Sequence, residues 1–110
     1  MSIAPHQDWV ENRWRKMTLA EQLANVGAEF ERAWSWRMRG QAELSANAAD
    51  RMLELLALAI DDPRWRGPKL RELARLREAL NEEWLSGRQE LPKDLSNYFM
   101  VFTRWARAGN

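Results

Sequence analysis

From Thr18 onward, apolar side chains recur at steps of four and three: Leu19, Leu23, Val26, Phe30 and Ala33. Arg37 continues this seam, and Trp34 and Met38 widen it. Glu21, Gln22, Asn25, Glu29 and Arg32 occupy the other side, so the spacing predicts an amphipathic helix. Gly27 interrupts it at a cost of about 1 kcal/mol relative to Ala, which implies that something packs close there. Gly40 is a natural terminator because it can adopt the left-handed conformation that ends a helix.

Residues 42–61 predict a second long helix. Its first half is light, with Ala42, Ala46, Ala48 and Ala49. Its second half, from Met52 to Ile60, is apolar except for Glu54. A helix apolar around most of its circumference needs cover on several sides, so this one is expected to be the buried axis of the fold. Pro63 stops it by pushing Asp62 out of helical geometry. Pro68 suits the first turn of a third helix, with Leu70, Leu73, Leu76, Leu80 and Trp84 inward, supported by Ala74 and Leu85, and Gly87 ends it. Pro92 opens a last helix with Leu95, Tyr98, Phe99, Phe102, Trp105 and Ala106 on one side.

The N-terminal part is less regular. Residues 1–7 have no periodic signal and contain Pro5, so they read as a flexible tail ahead of one domain spanning 8–110. Asp8 and Glu11 have capping-box spacing, and Val10, Trp14 and Met17 follow at helical spacing. Thr18 and Glu21 form a second capping box, which favours a chain break before Thr18 over one continuous helix. No run alternates with period two. The expected fold class is all-α: a compact antiparallel four-helix bundle with a short extra N-terminal helix.

Residues 40–63 resemble one unit of a tetratricopeptide repeat through Gly40, Leu44, Leu53, Leu56, Ala59, Ile60 and the closing Asp62 and Pro63. They depart from it at Asn47, where glycine is usual, and at Ala49, where tyrosine is usual. The spacing before Pro63 is also one residue short. With one copy present, the resemblance implies a similar helical hairpin rather than a repeat array. Three further stretches are residues 16–27 (KMTLAEQLANVG), Leu70-Arg71-Glu72-Leu73 and Arg75-Leu76-Arg77-Glu78. Together with the Asp62-Pro63 stop, these resemble a family of small helical prokaryotic proteins without an assigned activity. That likeness implies a compact cytoplasmic protein and transfers no site. In size, helix count and charge placement the chain is also similar to accessory four-helix bundles that accompany reverse transcriptases of diversity-generating retroelements.

Composition narrows the functional classes. The chain has 110 residues, 45% hydrophobic and 30% charged, with net charge +1, so no global charge draws it to nucleic acid or membrane. Cysteine is absent, which removes disulfides, thiolate chemistry and zinc–cysteine sites. The opening MSIAPHQDWVEN has no basic segment followed by an apolar run, and no apolar run reaches the ~20 residues needed to span a bilayer. A cytoplasmic protein without membrane contact is expected.

Enzymatic chemistry has little to draw on. His6, the only histidine, lies in the tail, so neither a histidine relay nor a multi-histidine metal site can form. Ribonucleases with an Arg-x4–6-His signature fall on the same ground, and no Glu-x-x-His motif of a di-iron bundle occurs. A carboxylate-only site would have to use Glu21, Glu29, Glu54, Asp61, Asp62 or Glu78, and Asp61 and Asp62 read better as a solvated helix end. No catalytic residue, metal site or cofactor is expected.

Seven tryptophans are the compositional outlier, and several flank arginine: Arg13-Trp14-Arg15, Trp36-Arg37, Arg64-Trp65-Arg66 and Arg104-Trp105. Arginine stems can cover an inward Trp, or the two together can form a binding surface. Trp34 and Trp84 fall on apolar stripes and read as core; Trp14, Trp36 and Trp65 fit either description. Between residues 64 and 77 lie Arg64, Arg66, Lys69, Arg71, Arg75 and Arg77, followed by Glu78, Glu82 and Glu83. Cations at a helix start and anions at its end oppose the helix dipole, so local stability did not select this order. Either Arg71, Arg75 and their neighbours pair with Glu29, Glu31 or Glu54, or the run is a phosphate-contacting edge. In the second case Trp65 would be free to stack on a base of RNA or single-stranded DNA.

The last helix carries Met100 and Val101 beside its main stripe. Tyr98, Met100, Val101 and Trp105 are therefore expected to mediate self-association. Together these features predict a non-enzymatic accessory or adaptor bundle that forms a homo-oligomer. Its basic edge would contact RNA, single-stranded DNA or an acidic, larger protein partner. The alternative is a protein–protein interaction module of tetratricopeptide-like character with no nucleic-acid role.

Overall fold

The computed structural model describes residues 7–108, among which every regular element is helical. The order is α1 (Gln7–Asn12), a 3-10 turn (Trp14–Lys16), α2 (Leu19–Met38), α3 (Ala42–Asp61), α4 (Pro68–Leu85) and α5 (Lys93–Arg107). The expected tail, with Pro5 and His6, lies outside the described residues apart from Gln7, which opens α1. Asp8 therefore sits inside the first turn of α1 rather than ahead of it.

The break before α2 is built as its sequence predicts. Met17 and Thr18 are extended, with ψ of 148° and 163°. Thr18 Oγ accepts the Glu21 amide at 3.1 Å, and Glu21 Oε1 accepts the Thr18 amide at 2.9 Å. Two amides that the first turn would leave unpaired are thereby satisfied.

Gly40, at φ +74°, turns the chain from α2 into α3 in a conformation costly for any residue with a Cβ. The two helices then run in opposite directions. Ser45 Oγ donates to the Ala33 carbonyl at 2.9 Å, Arg51 Nε to Glu29 Oε2 at 2.9 Å, and Gln22 Nε2 to Asp62 Oδ2 at 3.0 Å. Residues 42–61 form one uninterrupted helix, so the hairpin implied by the tetratricopeptide likeness is not contained in that segment. The hairpin present joins α2 to α3.

The buried axis is α2, not α3. Helix α2 packs against both α3 and α5, whereas Leu53, Leu55, Leu58 and Ile60 of α3 are only half-buried and Ala57 is exposed. Gln22 and Glu29, expected on the polar side, are among the buried residues of α2. Apolar density along a helix measures what could be buried. Which helix is covered depends on where neighbours can approach, and Gly27 decides that for α2. A Cβ there would lie 2.7 Å from Phe99 Cβ, so only glycine lets α5 come this close.

One continuous core runs through the elements, including Trp14, Phe30, Trp34, Met52, Leu56, Leu80 and Phe99. The radius of gyration is 13.7 Å, close to the roughly 13 Å of a compact chain of this length.

Candidate functional site

The site is organised by Gln22, which is fully buried. Its Nε2 donates to the Trp14 carbonyl at 2.9 Å and to Asp62 Oδ2 at 3.0 Å, and its Oε1 accepts the indole N–H of Trp65 at 2.8 Å. Both amide protons and the carbonyl oxygen are thus occupied, which is what makes a buried glutamine tolerable. Trp14 belongs to the 3-10 turn, Trp65 to the link between α3 and α4, and Asp62 caps α3. One side chain ties three separate segments together.

Asp62, 1% exposed, is the charged member of this network. Its Oδ1 accepts Arg64 N at 3.1 Å and Arg64 Nε at 3.0 Å, and its Oδ2 accepts Arg64 Nη2 at 2.8 Å. Burial alone would raise its pKa, but the hydrogen bonds from Arg64 and Gln22 outweigh this and hold it at about 2. Arg64 is correspondingly raised by Asp62. The pair has a fork geometry in which the guanidinium is already committed. Asp62 is therefore not the solvated helix end expected from its sequence position, and Arg64 is not a free cation.

Trp65 requires a correction as well. It is 9% exposed, its N–H is taken by Gln22, and Arg64 Cζ and Lys69 Nζ lie 4.5 and 5.3 Å from its ring centre. The ring is core, flanked by cations, and does not stand free to stack on a base. Trp14 is buried likewise, whereas Trp36 is half-buried with Arg39 Cζ 5.3 Å from its ring.

The meeting of the Trp14 carbonyl and the Trp65 indole at one glutamine brings both Arg-Trp-Arg segments to the same end of the fold. Arg13, Arg15, Lys16, Arg66 and Lys69 are all exposed there, with Asp61 as an exposed counter-charge. Arg13, Arg15 and Lys16 were missing from the expected edge. The signal was the repeated Arg-Trp-Arg triplet, but nothing local says that the two copies meet.

The remaining basic residues divide. Arg71 and Arg75 are exposed on the outer side of α4, and Arg77 is exposed as well. None of the three reaches Glu29, Glu31 or Glu54. Glu29 instead holds Arg32 and Arg51, and Glu31 accepts from Ser96 Oγ at 2.7 Å. Interhelical ion pairing therefore does not account for them among the described residues.

The expected self-association residues also separate. The hydroxyl of half-buried Tyr98 donates to Glu72 Oε1 at 2.9 Å, tying α5 to α4, and burial with Glu72 raises its pKa. Met100, Val101 and Trp105 are exposed on α5. Beside them a groove of about 480 Å³ between α2 and α5 is lined by Gly27, Ala28, Glu31, Phe99, Arg104 and Arg107, among others.

Among the described residues, no three His, Asp or Glu side chains are grouped as a metal site, and no helix is long and apolar enough to cross a membrane. No family model, curated protein or solved structure matches the chain.

Proposed function

We propose that this protein is a non-enzymatic cytoplasmic accessory subunit, an antiparallel four-helix bundle with a short N-terminal extension. It contacts the phosphate backbone of RNA or single-stranded DNA through its basic end. The observation supporting this is the meeting of Arg13-Trp14-Arg15 and Arg64-Trp65-Arg66 at Gln22, which gathers Arg13, Arg15, Lys16, Arg66 and Lys69 despite a near-zero net charge. With both rings buried, the tryptophans act as anchors that hold the arginines in place. Recognition is therefore of phosphate rather than of base, and without strong sequence preference. Each phosphate neutralised on a single strand contributes a slope of about −0.7 to the dependence of log affinity on log salt.

Filter binding of a single-stranded RNA across a salt series tests this. Wild-type protein should bind at low salt and release steeply as salt rises. Replacing Arg13, Arg15, Arg66 and Lys69 by Glu should weaken binding by more than about tenfold while the helical circular dichroism is unchanged. Arg64 is left intact in that variant because its loss would expose Asp62 to an unpaired burial. Absent binding at low salt, or binding indifferent to salt, rules the reading out.

A second reading is a protein-interaction module without a nucleic-acid role, in which the α5 surface takes a copy or a larger protein. It is favoured by Trp105, 55% exposed beside exposed Met100 and Val101. Partner capture that survives the four basic-end substitutions and is lost in Trp105→Ala would select it.

A further inference from the structure

Helix α4 presents Leu73, Leu76 and Leu80 to the core. Its opposite side carries Arg71, Arg75, Glu78 and Glu82, all exposed. Their spacing of four, three and four places them within an arc of about 60° at 100° per residue. None of these four side chains makes a hydrogen bond or ion pair among the described residues.

Within one helix this stripe is unfavourable. Arg71 and Arg75 are like charges at i,i+4, as are Glu78 and Glu82, and these two repulsive pairs outnumber the one attractive i,i+3 pair, Arg75 with Glu78. The order, cations first, also opposes the dipole. Read in reverse, however, the stripe is its own complement. A second α4 laid antiparallel about an axis between Leu76 and Arg77 sets Arg71 opposite Glu82 of the partner subunit. It likewise sets Arg75 opposite Glu78 of the partner subunit, and the two-fold axis repeats both pairs. Every charge on the stripe then faces its opposite. The same register brings Leu85, 83% exposed one turn beyond Glu82, to where the partner subunit's α4 begins at Pro68.

We infer that the protein associates with a second copy of itself, antiparallel and two-fold symmetric, through the outer face of α4. Such a contact is isologous, as most homodimer interfaces are. It does not involve Arg13, Arg15, Arg66 or Lys69, and it points the two basic ends in opposite directions. The inference is independent of nucleic-acid binding. Exposed ion pairs are individually weak, so the dimer is a low-affinity, salt-sensitive one.

Sedimentation equilibrium tests this at high protein concentration. In low salt the wild-type chain should be dimeric, and its dissociation constant should rise by about tenfold or more in ~0.5 M salt, where the Debye length falls to a few Å. Arg71→Glu with Arg75→Glu should be monomeric, and so should Glu78→Arg with Glu82→Arg. An equimolar mixture of these two variants should form a heterodimer, since an all-acidic stripe then meets an all-basic one. A wild-type monomer in low salt would overturn the inference, as would two variants that stay dimeric or a mixture that stays monomeric. Dissociation by Trp105→Ala with no effect of the α4 variants would move the contact to α5 and equally overturn it.

Discussion

The amide of Gln22, near the start of α2, donates to the carboxylate of Asp62, at the end of α3, across 3.0 Å in a fully buried setting. This bond closes the open end of the α2–α3 hairpin, opposite Gly40. Gln22 also holds the Trp14 carbonyl and the Trp65 indole, so its removal takes away three buried hydrogen bonds at once and leaves the Trp65 N–H without a partner. Gln22→Leu should therefore cost about 2–4 kcal/mol, more than one ordinary hydrogen bond. Urea unfolding monitored by circular dichroism checks this through its midpoint. A loss under about 0.5 kcal/mol, the range of a neutral surface change, would show that the network is not structural.

Asp62 makes stability depend on acid. Its folded pKa, about 2, lies below the ordinary carboxylate value of 3.8. A depressed carboxylate contributes fully above its unfolded value, and the contribution is lost as pH falls from about 4 through about 2. The shift from 3.8 to about 2 is worth about 2 kcal/mol. The stability gap between wild type and Asp62→Asn should thus be largest near neutrality and shrink by that amount toward pH 2. A gap that is constant with pH, in urea titrations at several pH values, would contradict the assignment.

Gly27 supports α5. Ala at this position gains about 1 kcal/mol of helix propensity. Its Cβ, however, would lie 2.7 Å from Phe99 Cβ, which is fixed to backbone and cannot rotate away. Relief requires α5 to shift, at a cost of about 1–3 kcal/mol. Gly27→Ala is expected to be net destabilising, and Gly27→Val more so. A thermal midpoint raised by Gly27→Ala would mean that the two helices are not in close contact there.

Much of the fold was legible in the chain because its determinants are local. The α2 start follows from Thr18 and Glu21 three residues apart in one capping box, and its end from Gly40 at positive φ. The α3 stop at Pro63 and the α4 start at Pro68 follow from the ring of proline itself. The apolar steps of three and four identify inward sides for α4 and α5, and Leu73, Leu80 and Phe99 are indeed buried there. Even the close approach at Gly27 was implied by a glycine placed where helix propensity disfavours it.

What the chain alone determined, then, is its set of helices and the unusual repetition of Arg-Trp-Arg. Only the tertiary structure decided that α2 rather than the more apolar α3 is the axis, and that Gln22, Glu29 and Asp62 lie inside. It also decided that the two tryptophans converge while their arginines stay outside. The physical reason is that helix formation and termination depend on neighbours within a turn. The burial of a polar group, by contrast, is affordable only when distant segments supply its hydrogen bonds. Gln22 looks like any polar residue on an amphipathic helix until Trp14, Asp62 and Trp65 arrive around it.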